Sequence, residues 1–276
     1  MKLQNKCDIH THTVFSGHAY STIRENVLDA ADAGMEVLGT ADHFSAMLFP
    51  DWKSAKNYQY IMGLKDWPRT WKGVTLLRGV EADIVDAEGH LFGEDVVFRE
   101  GITGDRRSGR REESLYTWCT RRLDYVIASV HGKDFTDSMT QAQITRMYLT
   151  SMERPEVLML GHIGRTGLSF DLDEILHAAL SLKKPIEINE HSWAFGDRAV
   201  IGRCRKIAER CAELGVQIAV TTDAHISCNA GRFDQSLDML EEIHFPQELI
   251  ATRDRKSLLA MMREALPGAR LDGIEA

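Results

Sequence analysis

Cys7-Asp8-Ile9-His10-Thr11-His12-Thr13 is a short β-rich run that ends in two histidines one residue apart. Side chains of a strand alternate between its faces, so His10 and His12 project from the same side, where two imidazoles can grip one cation. Alone the pair says little, because paired histidines also occur on solvated strands. Its meaning comes from the rest of the chain.

Six further runs have the same character, at 37–40, 74–80, 125–130, 157–160, 186–189 and 217–221. Helix-like stretches lie between most of them: 22–35, with Ile23, Val27, Leu28 and Ala31 on one stripe, then 172–182 and 198–214. Gly34, Gly73 and Gly215 stand where helices should end just before strands, as left-handed caps. Strands alternating with helices pair in parallel through right-handed crossovers, and seven such units suffice to curl a sheet into a TIM-like barrel. The fold class is therefore α/β. Barrels of about 250 residues are commonly single domains, and no linker divides this chain, so residues 1–276 are expected to form one domain. The irregular stretch is 98–122, with Gly101, Gly104, Gly109 and seven arginines; it reads as a solvated excursion or as a lid that brings arginines to an anionic substrate.

A hydrophobic fraction of 43% is enough to bury a core and too high for a disordered chain. The net charge of −8 argues against nucleic acid as the main partner, since such proteins show a basic face. No apolar run approaches about 18 residues and the first residues are polar, so neither a membrane span nor a signal segment is expected and the protein reads as cytoplasmic. Homo-oligomerisation is left open. The five cysteines form no C-x-x-C pair and read as reduced thiols, with Cys204 and Cys211 as small hydrophobic residues of a helix.

Residues able to bind metal terminate six of the seven runs: His10 and His12 on the first, His43 just past the second, Glu81 on the third, His131 on the fourth, His162 on the fifth, and Asp223 with His225 on the seventh. His18 follows in the loop after the first. Catalytic residues of barrels gather at the carboxyl ends of strands. Seven of the eleven histidines thus fall at one mouth, which independent structural histidines would not do. His90, His177 and His244 read as surface residues. His191 follows the sixth run at the same mouth, as a substrate or ligand-supporting contact or as a plain polar turn. Imidazole and carboxylate ligands suit zinc or manganese, and three protein ligands on an ion leave room for water and substrate.

The motifs Asp8-Ile9-His10-Thr11-His12-Thr13, Ala41-Asp42-His43, Gly79-Val80-Glu81, Ser129-Val130-His131, Gly161-His162 and Thr222-Asp223-Ala224-His225 resemble, in order, those of the PHP (polymerase and histidinol phosphatase) superfamily, most closely its YcdX-type phosphatase branch. The resemblance spans nearly the whole chain, including Gly17-His18-Ala19-Tyr20-Ser21-Thr22 and the tail around Phe245-Pro246, but 98–122 has no clear counterpart. It implies a distorted (β/α)7 barrel with three divalent metal ions, commonly zinc and sometimes manganese or iron. Carried over, His10, His12, Glu81 and Asp223 would hold the first ion. Glu81 as a bridge, with His131 and His162, would hold the second, and His18, His43 and His225 the third. All nine positions carry the expected residue types. A bridging carboxylate keeps two cations about 3.5 to 4 Å apart, and their Lewis acidity brings a water's pKa from about 15.7 towards 7, which supplies hydroxide at neutral pH.

Three divalent cations match the charge of a phosphomonoester better than that of an amide or ester carbonyl, so the expected activity is hydrolysis of small phosphorylated metabolites. Glu81, Asp223 and His191 are the candidate catalytic residues. Arg165, Lys133 and Arg24 are the candidate substrate cations. Asp42, beside His43, would orient a ligand or serve the leaving group. Phe44, Leu48, Phe49, Pro50 and Trp52 would wall a pocket or pack in the core. The rival activities are histidinol-phosphate phosphatase and a PHP-type phosphodiesterase or nuclease. An amidohydrolase would use a carboxylated lysine as its bridge, where this chain has Glu81. Outside enzymes, a metal-binding interaction module is the alternative, against which the complete ligand set speaks.

Overall fold

All seven β-rich runs form strands in the computed structural model, which describes residues 2–98, 112–268, 271, 273 and 274. Strand β1 (Cys7–Thr11) pairs in parallel with β2 (Val37–Phe44), β2 with β3 (Val74–Asp83), β3 with β4 (Tyr125–Ser129), and β4 with β5 (Val157–Leu160). A second parallel pair joins β6 (Ile186–Asn189) to β7 (Ile218–Thr221). It returns to the first strand through a parallel bridge between Thr11 and Ala224: the His12 amide donates to Ala224 O at 2.9 Å and the Asp223 amide to His10 O at 2.7 Å. The result is a curled parallel sheet, a distorted TIM-like barrel. Among the described residues no backbone ladder joins β5 to β6.

Polar caps fix where the crossover helices begin. Helix α1 (Ile23–Asp32) starts at a reciprocal capping box between Thr22 and Glu25, and α2 (Gln141–Met152) at one between Thr140 and Gln143. Asp171, Asp197 and Asp254 cap α3 (Leu172–Leu182), α4 (Arg198–Leu214) and α6 (Arg255–Ala265). Each such cap contributes about 1 kcal/mol. Between α4 and α6 lies α5 (Asp234–Glu242), whose first-turn amides of Gln235 and Ser236 are taken by the Glu190 carboxylate at 2.9 and 2.8 Å.

Alternation along the strands builds two apolar layers. Outward residues such as Leu38, Leu76, Val80, Val126, Ile186 and Val220 meet the helices. Inward residues near the strand starts, among them Cys7, Val37, Leu77, Tyr125 and Ala219, pack with Leu258, Leu259, Met261 and Met262 of α6. Further along the same strands the inward positions turn polar, so the barrel interior is oily at one end and ionisable at the other. An irregularity in the β1 to β2 register, between Asp8 and Thr11, accompanies the change from inward Cys7 and Ile9 to the site-facing His10 and His12.

Several sequence expectations need correction. β2 and β3 outrun the expected 37–40 and 74–80 because they pair with each other without a break from Val37↔Thr75 to Phe44↔Ala82, so His43 and Glu81 lie within strands and not past their ends. The 22–35 helix is shorter. Gly34 and Gly215 do follow helices with φ of 77° and 72°. Gly73 ends no helix: with Lys72, also at positive φ, it forms the two-residue turn of a hairpin between Thr70–Trp71 and β3, the geometry of a primed turn. The stretch 98–122, read as a solvated excursion or a lid, falls mostly on 99–111, outside the described residues; its flanks Val97–Phe98 and Glu113–Ser114 pair antiparallel. Phe44 is wholly buried and Phe49 and Trp52 pack on the core, so that aromatic cluster is packing. The cysteines are unpaired thiols. Among the described residues no helix is long and apolar enough to cross a membrane.

Gly39 and Gly79 make room for Tyr125, whose hydroxyl reaches Ile9 O at 2.6 Å and Thr40 O at 3.0 Å. A Cβ at either glycine would collide with this buried side chain. Gly79→Ala is therefore expected to lower stability by roughly 1–3 kcal/mol, as overpacking does. Gly63→Ala, whose Cβ would meet nothing within 4 Å, should be neutral or slightly stabilising. Urea unfolding of both variants checks this; equal midpoints would contradict the packing argument.

Candidate metal centre

Nine side chains from six strand ends and one loop meet at the polar mouth. Glu81 on β3 is at their centre and has no solvent exposure. Its Oε1 lies 2.9 Å from His162 Nε2, 3.4 Å from His10 Nε2 and 3.5 Å from His131 Nε2. Its Oε2 lies 2.9 Å from His43 Nδ1 and 3.7 Å from His12 Nε2. Asp223 Oδ1 sits 3.0 Å from His12 Nε2 and 3.7 Å from His10 Nε2. His18, on the exposed loop after β1, stacks on His43 and His225 with ring centroids 5.0 and 4.6 Å away.

A surrounding set of acceptors fixes which nitrogen each ring presents. His10 Nδ1 is 2.6 Å from Glu187 Oε1, and His131 Nδ1 is 2.7 Å from Asp83 Oδ1. His225 Nδ1 faces the Asp223 carbonyl at 2.9 Å. His12 Nδ1 is 2.9 Å from Ser16 Oγ, which donates its own hydrogen to Asp42 at 2.7 Å and so must accept from the ring. In each case Nδ1 is committed to that contact, so Nε2 is the nitrogen turned to the mouth, able to ligate an ion once it is deprotonated. Asp42 also takes the Thr13 amide and hydroxyl, at 2.6 and 2.7 Å, so its oxygens are engaged in orienting the β1 loop.

Most of the atoms turned to the mouth have no hydrogen-bond partner. His10 Nε2, His12 Nε2, His43 Nδ1, Glu81 Oε2 and His225 Nε2 are all buried and unsatisfied. His43 Nδ1 and Glu81 Oε2 are close but not in hydrogen-bonding geometry, as expected of two donors aimed at a common third atom. Buried polar atoms are nearly always paired, so so many orphans in one place call for an ion. Three donor groups, His10 with His12 and Asp223, His12 with His43 and His225, and His43 with Glu81 and His131, each bring their atoms within 4.8 Å of one another. The site's chemistry fits divalent metal ions.

Electrostatics point the same way. Burial opposes ionisation of Glu81, yet His131 and His10 beside it hold its pKa well below the usual carboxylate range. Asp223 is likewise held low against burial, chiefly by His10 and His12. Burial also opposes charge on His131, but Glu81 and Asp83 push its pKa up to about 9. Burial drives His12 well below the ordinary imidazole value. Buried carboxylates that stay ionised must be paired or bind metal.

The mouth opens into a cavity of about 400 Å³ lined by His18, His43, Met47, His131, Arg165, His191, Phe195, Asp223 and His225. Arg165 Nη2 is tied to Asp223 Oδ2 at 2.8 Å, while its buried Nη1 has no partner. Lys133 and Arg24 do not line this cavity; the Lys133 ammonium donates to Thr166 O and Arg24 lies exposed on α1. His191 borders the cavity, its ring centroid 6.0 Å from that of His225, and burial lowers its pKa. His90 pairs with Asp86 on the surface and His177 with the Asp173 carbonyl.

The sequence reading missed Glu187. It is buried on β6, the one strand to which no ligand was assigned, and it engages His10 through Oε1 and the His162 amide through Oε2, while Thr221 Oγ1 donates to Oε1 at 2.7 Å. It thereby spans the open β5 to β6 seam. Its signal was present: in Ile186-Glu187-Ile188-Asn189, alternation sends an acid and an amide into the barrel. His162 and Asp223 both adopt the left-handed backbone, with φ of 35° and 55°, a strain that collects at functional sites and that the Glu187 and His10 contacts hold in place.

The PHP domain family matches residues 8–191 of this chain. A probable phosphatase of Caldanaerobacter subterraneus subsp. tengcongensis is 34% identical over 91% of this chain and 88% of its own length. One from Clostridium acetobutylicum is 32% identical over 93% of each. The crystal structure of histidinol phosphate phosphatase from Lactococcus lactis subsp. lactis, complexed with zinc, L-histidinol and phosphate, superposes with a TM-score of 0.54 and 20% identity over 88% of this chain and 95% of that one, a likeness of fold.

Glu187→Gln keeps the shape of the side chain but cannot accept from both the His10 ring and the His162 amide. Metal affinity should fall about 10- to 100-fold, the usual effect of removing a carboxylate behind a ligating imidazole. Competition against a chromophoric chelator measures this; unchanged affinity would show that the His10 contact does nothing for the ligand.

Proposed function

Because the chain belongs to the PHP domain family, we propose that it is a metal-dependent phosphatase acting on phosphomonoesters of small metabolites at a trinuclear centre. The observation that carries the reading is the set of buried, unpartnered imidazole and carboxylate lone pairs converging around Glu81. In this proposal His10, His12, Glu81 and Asp223 hold one ion, Glu81 with His131 and His162 a second, and His18, His43 and His225 a third. The placement of His43 between two donor groups agrees with closely neighbouring ions. Zinc is the preferred identity, with manganese and iron as alternatives, since imidazole and carboxylate suit all three.

Divalent ions held there would supply Lewis acidity, neutralise phosphoryl charge and make water a nucleophile near neutral pH. The chain's own residues do the rest. Glu81 and Asp223, both ionised, would supply the negative charge that offsets the cations' mutual repulsion. Arg165 is fixed in place by Asp223 through Nη2 and leaves its Nη1 amino group without a partner, a donor suited to a phosphoryl oxygen of the substrate. His191, its pKa lowered by burial, is a neutral ring near pH 7 that can hydrogen-bond the leaving-group oxygen. As a whole the mouth suits a small phosphorylated molecule, and the net charge of −8 gives nucleic acid no general electrostatic support.

Protein kept from chelators and replenished with metal is expected to carry about three divalent ions per chain and to hydrolyse members of a phosphomonoester panel. Glu81→Gln preserves size but removes the charge shared by two ions. It should lose those two, retain the ion of His18, His43 and His225, and fall by several orders of magnitude in rate. Elemental analysis beside the phosphatase rate checks both. One ion or fewer in the parent protein, or full metal and near-normal turnover in Glu81→Gln, would overturn the assignment.

A further inference from the structure

The polar mouth has an apolar edge. Phe195 is 83% exposed and Met47 is 51% exposed, yet both line the same cavity as the metal-binding side chains. Phe195 sits on the turn between β6 and α4, just before Gly196 and the Asp197 cap, and stands edge-on to His191 with centroids 5.9 Å apart at 86°. Met47 sits on the turn after β2, which Ser45 caps. An aromatic ring left in water forgoes the stabilisation that burial would return, so a ring held at the lip of a reaction cavity points to an apolar ligand that covers it.

The charge inventory limits what the cavity can receive. Among the described residues Arg165 is the one guanidinium or ammonium group lining it, because the Lys133 ammonium is turned onto a carbonyl. A single guanidinium serves one phosphoryl group. A phosphoryl group has four heavy atoms, and about 400 Å³ lies within the size range of sites for whole small molecules, so most of the space belongs to the leaving group. That remaining space is faced by a phenyl ring, a thioether and imidazole edges. Aromatic rings stack on phenyl and imidazole and make favourable contacts with thioether sulfur.

We infer that Phe195 and Met47 form a leaving-group subsite that selects phosphomonoesters with an uncharged aromatic or heteroaromatic body. This rests on the phosphatase reading and narrows it to a substrate class. Phe195 acts through binding and not through chemistry, so removing it should raise KM and spare kcat.

Calorimetric titration of metal-replenished protein with phenylphosphonate and methylphosphonate separates the two ideas, because both ligands offer the same anionic head and neither is hydrolysed. The parent protein should prefer the phenyl compound. Phe195→Ala should weaken phenylphosphonate about tenfold, about 1.4 kcal/mol, and leave methylphosphonate within about twofold. Phe15→Ala removes an exposed ring that stacks on Tyr60 outside the cavity and should change neither. Equal affinity for the two ligands, or equal loss of both in Phe195→Ala, would overturn the subsite while leaving the phosphatase reading intact. Failure of the parent protein to bind either would overturn both.

Discussion

The constraint on which this structure depends is buried negative charge. Glu81 and Asp223 lie in the barrel mouth with almost no access to water, and both remain ionised against the cost of burial. Removing a carboxylate from water costs several kcal/mol unless positive charge compensates it. Arg165 reaches Asp223 alone, and the surrounding imidazoles turn Nε2 to the mouth where Nδ1 is already committed. Protonated imidazoles, His131 above all, balance part of that charge, and divalent ions held by the same nitrogens would replace those protons, which is why the polar design fits metal binding.

Fold and site are joined through Glu187. A barrel whose strands pair all round needs no side chain to close it, but here β5 and β6 have no ladder between them among the described residues. The Glu187 carboxylate crosses that seam, holding the His162 backbone in its left-handed conformation on one side and the His10 ring on the other. The same atoms therefore maintain the barrel's shape and aim two candidate ligands, and a loosened seam would be felt at the metals first. At the opposite end, α6 fills the interior with leucine and methionine. The division lets the site be polar without costing the fold its core.

Much of this was legible in the sequence, for physical reasons. The strands are short apolar runs, and parallel strands buried on both faces look like that. The ligand-type residues stood out because they recur at strand ends, where a barrel gathers them. What could not be read was whatever depends on pairing. The extension of β2 and β3 past His43 and Glu81 is dictated by their mutual ladder, and Gly73 looks like a helix cap until the partner strand reveals a hairpin. Asp42 looked equally suited to orienting a ligand and to proton transfer; only its three donors from Thr13 and Ser16 decide between them. Lys133 was plausible by proximity to His131, but its ammonium is spent on a carbonyl. Glu187 hid within an apolar strand, where alternation alone distinguished it.

The most direct test of a metal cluster centred on Glu81 is anomalous diffraction from crystals of metal-replenished protein, collected on either side of the absorption edge of the bound element. The account predicts three anomalous peaks at the mouth, two of them about 3.5–4 Å apart with the Glu81 carboxylate between them. A single peak, or a Glu81 carboxylate that touches only one ion, would contradict it.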